Sequence, residues 1–142
     1  MDYLTRDRDY TVEYLDNVEV GTATVVIRGT GKYTGSVTKK FSIVPRGTSL
    51  TFLNGGKGSL NAMWKEQMEQ TSGYQLRCVY LTNAGKARQT IVTVPSSRTT
   101  QKTITGLKHG KDYYVWIRTY KNVDGKKYCS PWSTTYRYAY VR

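Results

Sequence analysis

The chain is poor in the residues that most often carry chemistry. Its 142 residues include one histidine, two cysteines and three prolines. No stretch approaches the ~18 consecutive apolar residues of a membrane-spanning helix, so membrane insertion is not expected. The opening MDYLTRDRDY has no apolar core of a secretory signal. An extracellular placement would therefore make this an internal or C-terminal piece of a longer protein. One histidine and two cysteines lack zinc spacing, and no Asp-rich loop has the calcium pattern. A cysteine–histidine nucleophile would need Cys78 or Cys129 beside His109. Yet His109 sits in a turn before a strand, Cys129 follows that strand's end, and Cys78 points inward from mid-strand. Glycoside hydrolysis needs two carboxylates facing across a cleft, and the ten acids fall mostly in turns and loops. The expectation is a protein that is not an enzyme, with no metal and no cofactor.

Acids are also scarce relative to bases. Twenty-two Lys and Arg against ten Asp and Glu give a formal net charge of +12, which favours anionic partners. The positive charge is spread along the chain, its longest runs being the pairs Lys39-Lys40 and Lys126-Lys127, so it reads as a basic surface. The pattern has no recognition helix and no RNA-binding sheet signature, so nucleic acid is not an expected partner. Arg28-Gly29-Thr30 and Arg46-Gly47-Thr48 are not Arg-Gly-Asp, which leaves integrin-type adhesion without support.

What is plentiful is strand and turn chemistry, with 13 Gly and 13 Tyr. The organising stretch is Leu107 to Tyr120. A turn at Lys108-His109-Gly110-Lys111 leads into an uninterrupted strand, with Tyr113, Val115 and Ile117 on one face and Tyr114, Trp116 and Arg118 on the other. Leu107 enters the core and the Tyr113 hydroxyl bonds back to the backbone, as at the corner of a two-sheet sandwich.

Upstream, residues 1 to 45 read as three strands: Tyr10-Val12-Tyr14, then Ala23-Val25-Ile27, then Ser36 to Val44. Val37, Phe41 and Ile43 share a parity in the third, with Lys39 as its blemish. Three strands cannot close a sandwich. This segment is expected to complete its core against the second domain or, as a homodimer, against another copy. Val44-Pro45-Arg46-Gly47 marks the boundary.

From residue 46 to 142 about seven strands follow. Leu50–Leu53 ends in a turn at Asn54-Gly55-Gly56-Lys57-Gly58. Leu60, Ala62 and Trp64 alternate inward, then Gly73 to Tyr80 places Tyr74, Leu76 and Cys78 on one face and Gln75, Arg77 and Val79 on the other. Gln89 to Val94 and Thr100 to Thr105 precede the central strand. Val123-Asp124-Gly125-Lys126 is a hairpin-type turn, and Ser130-Pro131-Trp132-Ser133 opens a last strand running to Val141. The third and last strands flank the central one roughly 10 Å apart, too far for a disulfide between Cys78 and Cys129. Both should be free thiols.

Trp64, Tyr74, Leu107, Tyr113 and Trp132 are the structural positions. Arg77, Tyr114, Trp116, Arg118 and Tyr120 form the candidate ligand or partner face, because aromatic rings with arginine between them can stack on sugars or peptides. Tyr136, Tyr138 and Tyr140 share one face of the last strand. The competing reading of these rings is cross-strand packing.

Two resemblances sharpen the picture. Asp9 to Pro45, DYTVEYLDNVEVGTATVVIRGTGKYTGSVTKKFSIVP, resembles the C-terminal half of a bacterial surface Ig-like repeat. Such repeats usually carry further strands before this stretch, so the first segment is expected to be a partial repeat. Thr48 to Arg142, with SGYQLR and TITGLKHGKDYYVWIRTYKNVDGKKYCSPWS, is similar to the fibronectin type III modules of bacterial cell-surface and cell-wall proteins. The expected fold is all-β: a small, incomplete Ig-like module at 1–45, then a fibronectin type III β-sandwich at 46–142. The resemblance implies an extracellular structural, spacer or adhesion module of a bacterial surface or secreted protein. Its partners would be other modules of the same parent, a cell-wall polysaccharide or a host surface ligand. The alternative is a carbohydrate- or cell-wall-binding accessory module of a larger secreted enzyme. Fold alone does not supply function.

Overall fold

The structure, a computed structural model, describes residues 3–142. Met1 and Asp2, the latter one of the ten acids, lie outside the described residues. The chain divides into two compact units, Met1–Val44 and Pro45–Arg142, each described by itself.

The first unit is an antiparallel meander of β1 (Tyr10–Leu15), β2 (Gly21–Gly29) and β3 (Ser36–Ile43). Asp16 takes a positive φ of 56° in the first turn, which a short polar side chain tolerates. The register sets Tyr14 opposite Val25 and Val12 opposite Ile27; on the far side Ile27 meets Val37 and Ala23 meets Phe41. Those residues share one face by the alternation of strands. Most of that face stays open, with Tyr14, Ile27, Val37 and Phe41 exposed, and among the described residues of the unit only Val20, Ala23 and Val26 are buried apolar side chains. A polar knot closes its start. The Asp9 carboxylate accepts from the Thr5 amide at 2.7 Å and from Arg8 Nη2 at 2.8 Å. The Arg8 hydrogen bond, then that of the Thr5 amide, holds the Asp9 carboxyl below its usual range.

The second unit stacks two antiparallel sheets. One is β4 (Leu50–Gly56), β5 (Ser59–Trp64) and β8 (Gln101–Ile104), in the order β4-β5-β8. The other centres on β9 (Lys111–Val123), with β6 (Gly73–Leu81) and then β7 (Ala87–Val94) on one side. β10 (Lys126–Cys129) and β11 (Arg137–Val141) share its other side. Leu60, Ala62, Trp64, Tyr74, Leu76, Cys78, Val115 and Ile117 interlock between the sheets as one core. Period-two alternation in β5, β6 and β9 supplies it, so the sequence pattern and the burial pattern coincide.

Tyrosines tie the sandwich ends. Tyr113 is buried and its hydroxyl accepts from the Lys108 amide at 2.9 Å, beside buried Leu107. The fully buried Tyr74 packs its ring 5.4 Å from that of Trp64, donates to the Ser97 carbonyl at 2.7 Å and accepts from the Gln67 amide at 2.8 Å.

Three elements differ from the sequence expectation. Asn54, Gly55 and Gly56 belong to β4 rather than to a turn, because β11 crosses here so closely that a Cβ on Gly55 would collide with the Tyr140 carbonyl. The glycine permits that backbone approach. The second difference is β10, a short strand the alternation did not reveal. The third is the last strand, which begins at Arg137 instead of Ser133. Between them the chain stays on the β9 edge through serines. Ser130 N donates to the Thr119 carbonyl at 3.0 Å and Ser133 N to the Ile117 carbonyl at 2.8 Å. The serine hydroxyls in turn accept from the Thr119 amide at 3.0 Å and the Ile117 amide at 3.2 Å. Eight residue steps from Cys129 to Arg137 thus span the five steps from Tyr120 back to Val115 on β9, with Pro131 unable to donate to a ladder.

Candidate functional site

The outward face of the β9 sheet collects the aromatic and basic residues. Arg77 lies directly opposite Trp116. Its guanidinium carbon stands 4.7 Å from the Trp116 ring centre and 5.6 Å from that of Trp132. Arg118 covers Trp132 at 4.2 Å. The result is an interleaved ladder, Trp116–Arg77–Trp132–Arg118, built from β6, β9 and the serine segment. Each cation sits against the negative face of an indole, and all four side chains are partly buried. Arg118 Nε donates to Gln75 Oε1 at 2.9 Å and Gln75 Nε2 to Thr93 Oγ1 at 3.1 Å, extending the network to β7. Arg77 Nε is buried with no hydrogen-bond partner.

Beside the ladder lies a tyrosine cluster. Tyr114 rests 5.7 Å from both Tyr136 and Tyr138, and Tyr136 lies 5.3 Å from Trp116. Tyr136, Tyr138 and Tyr140 are 51%, 66% and 55% exposed, so their faces are offered to solvent where those of the tryptophans are not.

The sequence-derived face of Arg77, Tyr114, Trp116, Arg118 and Tyr120 is brought together except for Tyr120. That residue shares the outward parity but is only 3% exposed. Its register partner is Gly73, and the tyrosine lies over the space the glycine leaves: a Cβ there would stand 2.8 Å from the Tyr120 hydroxyl. Lys127 Nζ caps the ring at 4.4 Å. Gln75, also expected outward and open, is buried beneath Arg118. Of the structural positions, Trp64, Tyr74, Leu107 and Tyr113 are in the core, whereas Trp132 stands in the outer ladder. Alternation could find the β6 and β9 members. The contribution of Trp132 comes from an irregular segment, and no periodic signal marks it.

Cys78 and Cys129 are free. They flank β9 on opposite sides, opposite Val115 and Tyr120. The five-residue offset adds roughly 16 Å along the strand to the roughly 10 Å across it, beyond disulfide reach. Burial pushes the Cys78 thiol up to about 12, so it stays protonated and inert at neutral pH. His109 is exposed and engages the Arg142 carbonyl through Nδ1 at 2.7 Å. Among the described residues no three His, Cys, Asp or Glu converge as a metal site, and no helix is long and apolar enough to cross a membrane.

Two antiparallel sheets packed around an indole core, with a tyrosine corner leading into the central strand, define an immunoglobulin-like β-sandwich. Residues 44–135 match the fibronectin type III domain, and the chain belongs to that family. No curated protein matched the chain. Fibronectin type III domains are commonly structural or binding modules and are generally non-catalytic.

Proposed function

We propose that this chain is a non-catalytic structural module of a bacterial surface or secreted protein, one that spaces and holds other modules of the same parent. The observation that carries this reading is the ladder. Arg77 and Arg118 already occupy indole faces of Trp116 and Trp132, the faces a sugar ring would need, and the serine segment locks that edge to β9. The Trp116→Ala variant should lose stability and leave any binding to a glycan or wall-polymer panel unchanged. A variant that keeps its melting temperature but loses a ligand overturns the reading.

A second reading, a carbohydrate- or cell-wall-binding accessory module of a larger enzyme, is favoured by one observation: the exposed Tyr136, Tyr138 and Tyr140. It predicts saturable glycan binding that the Tyr136→Ala/Tyr138→Ala pair abolishes without loss of fold.

The first unit enters the proposal as a partial Ig-like repeat, as its wording suggests. Its open face holds Tyr14, Ile27, Val37 and Phe41. Three strands of about eight residues give a footprint of roughly 14 by 26 Å. Two copies face to face would then bury on the order of 1,000 Å² in total, near the lower bound for a specific interface. The unit holds six Lys and Arg and six Asp and Glu, so two copies meet without net repulsion. Self-association through this face is weak and concentration-dependent. Light scattering on the Phe41→Lys variant tests it, and a wild-type monomer at millimolar concentration contradicts it.

A further inference from the structure

The positive charge is not shared evenly between the units. Met1–Val44 is formally neutral, whereas Pro45–Arg142 carries sixteen Lys and Arg against four Asp and Glu, the whole +12. Both ion pairs of the described residues, Arg8–Asp9 and Arg28–Glu13, lie in the first unit. Among the described residues, the sandwich's cations have no carboxylate partner.

Within the sandwich the bases occupy both ends, but the acids are segregated to one. Three of the four acids, Glu66, Glu69 and Asp124, sit in the β5–β6 and β9–β10 connections, at the end where Gly73 pairs with Tyr120. At the opposite end the β4–β5, β6–β7 and β8–β9 turns converge. The Leu107 amide donates to the Gly58 carbonyl at 3.0 Å, and Gly58 N donates to the Arg142 carbonyl at 2.8 Å. Lys111 Nζ donates to Asn83 Oδ1 at 2.7 Å. This end gathers Lys57, Lys86, Arg88, Lys108, Lys111 and Arg142 with a single acid, Asp112. All six but Lys111 are exposed. A cavity of about 470 Å³ opens beside Lys108, lined also by Tyr80, Thr90, His109 and Tyr113. Like charges gathered on a turn-built end repel one another and sum to a local positive potential that draws in counter-ions.

We propose that this end is a binding site for an anionic polymer carrying phosphate or sulfate groups. Lysines from three turns suit charges repeated along a flexible chain, because each ammonium is a mobile point charge with three donors. Hydroxyls of Tyr80 and Thr90 in the adjoining cavity provide neutral hydrogen-bond partners for such oxygens. The site is separate from the Trp116 face and stands or falls apart from the spacer reading.

The test measures affinity of the whole chain for a sulfated glycosaminoglycan and for poly(glycerol phosphate), by calorimetry from low to physiological salt. The two arms separate sulfate from phosphate as the source. At least one polymer should bind, more weakly as salt rises. The Lys57→Gln/Lys86→Gln/Lys108→Gln triple should lower that affinity tenfold or more at unchanged melting temperature. The charge-matched triple Lys65→Gln/Lys126→Gln/Lys127→Gln, at the other end, should change it less than twofold. Equal losses in the two triples would mean that net charge alone binds, and overturn the site. So would no binding of either polymer at low salt, or tighter binding of duplex DNA than of both.

Discussion

Trp132→Ala is the sharpest perturbation of the ladder. The indole contacts Arg118 at 4.2 Å and Arg77 at 5.6 Å and is partly buried. Two cation–π contacts at such a half-wet site are worth about 0.5–1 kcal/mol each. Re-exposing on the order of 100 Å² of ring and neighbour surface adds about 2.5 kcal/mol at 25 cal/mol per Å². Part of that area is already hidden in a realistic unfolded chain, which brings the total to about 3 kcal/mol. For a domain of this size that lowers the melting temperature by roughly 12–24 °C. Urea unfolding gives the free energy, and a double-mutant cycle with Arg118→Met should return a coupling of about 0.5–1 kcal/mol. Arg77→Met should cost less than Arg118→Met. Arg77 Nε has no partner to lose, whereas removing Arg118 orphans Gln75 Oε1. A Trp132→Ala variant within about 0.5 kcal/mol of wild type, the ordinary range for surface substitutions, would refute the ladder as framework.

Other outcomes follow from the same geometry. Gly73→Ala drives a methyl against Val94 and the Tyr120 ring and should destabilise by about 1–3 kcal/mol in urea unfolding. Native-state alkylation followed by mass spectrometry should label the partly exposed Cys129 and spare Cys78, with no disulfide under non-reducing conditions. Stability should also fall at alkaline pH. Burial raises Cys78 from 9.0 to about 12 and raises the Tyr74, Tyr113 and Tyr120 phenols above 10.0. The native state therefore keeps protons that the unfolded chain gives up. The Cys78 contribution is whole below pH ~9 and lost by pH ~12, up to about 4 kcal/mol. A Cys78→Ala variant whose unfolding free energy declines over that window as steeply as wild type would contradict the assignment to this thiol.

The sandwich was legible because its inner rows obey a period of two, as at Leu60-Ala62-Trp64 and Tyr113-Val115-Ile117, and because the Leu107–Tyr113 corner is a local signal. The outer face was only half legible. Parity placed Tyr120 with Trp116, but whether an outward ring is open depends on its cross-strand neighbour, here Gly73, 47 positions away. The serine segment escaped because hydroxyls, not a strand ladder, hold it. Nor could order along the chain show the basic end: Lys57, Lys86 and Lys108 are remote from one another until three turns are stacked.

The most direct test of the framework claim is amide hydrogen exchange at Ile117 and Thr119. These two N–H groups face the gap between β10 and β11, where only the Ser133 and Ser130 hydroxyls hold them. If the segment clamps β9 as described, both amides exchange as slowly as Val115 and Leu76 in the core. Exchange within seconds, as at an open sheet edge, would show that the clamp is absent and that the ladder built upon it cannot be a fixed part of the module.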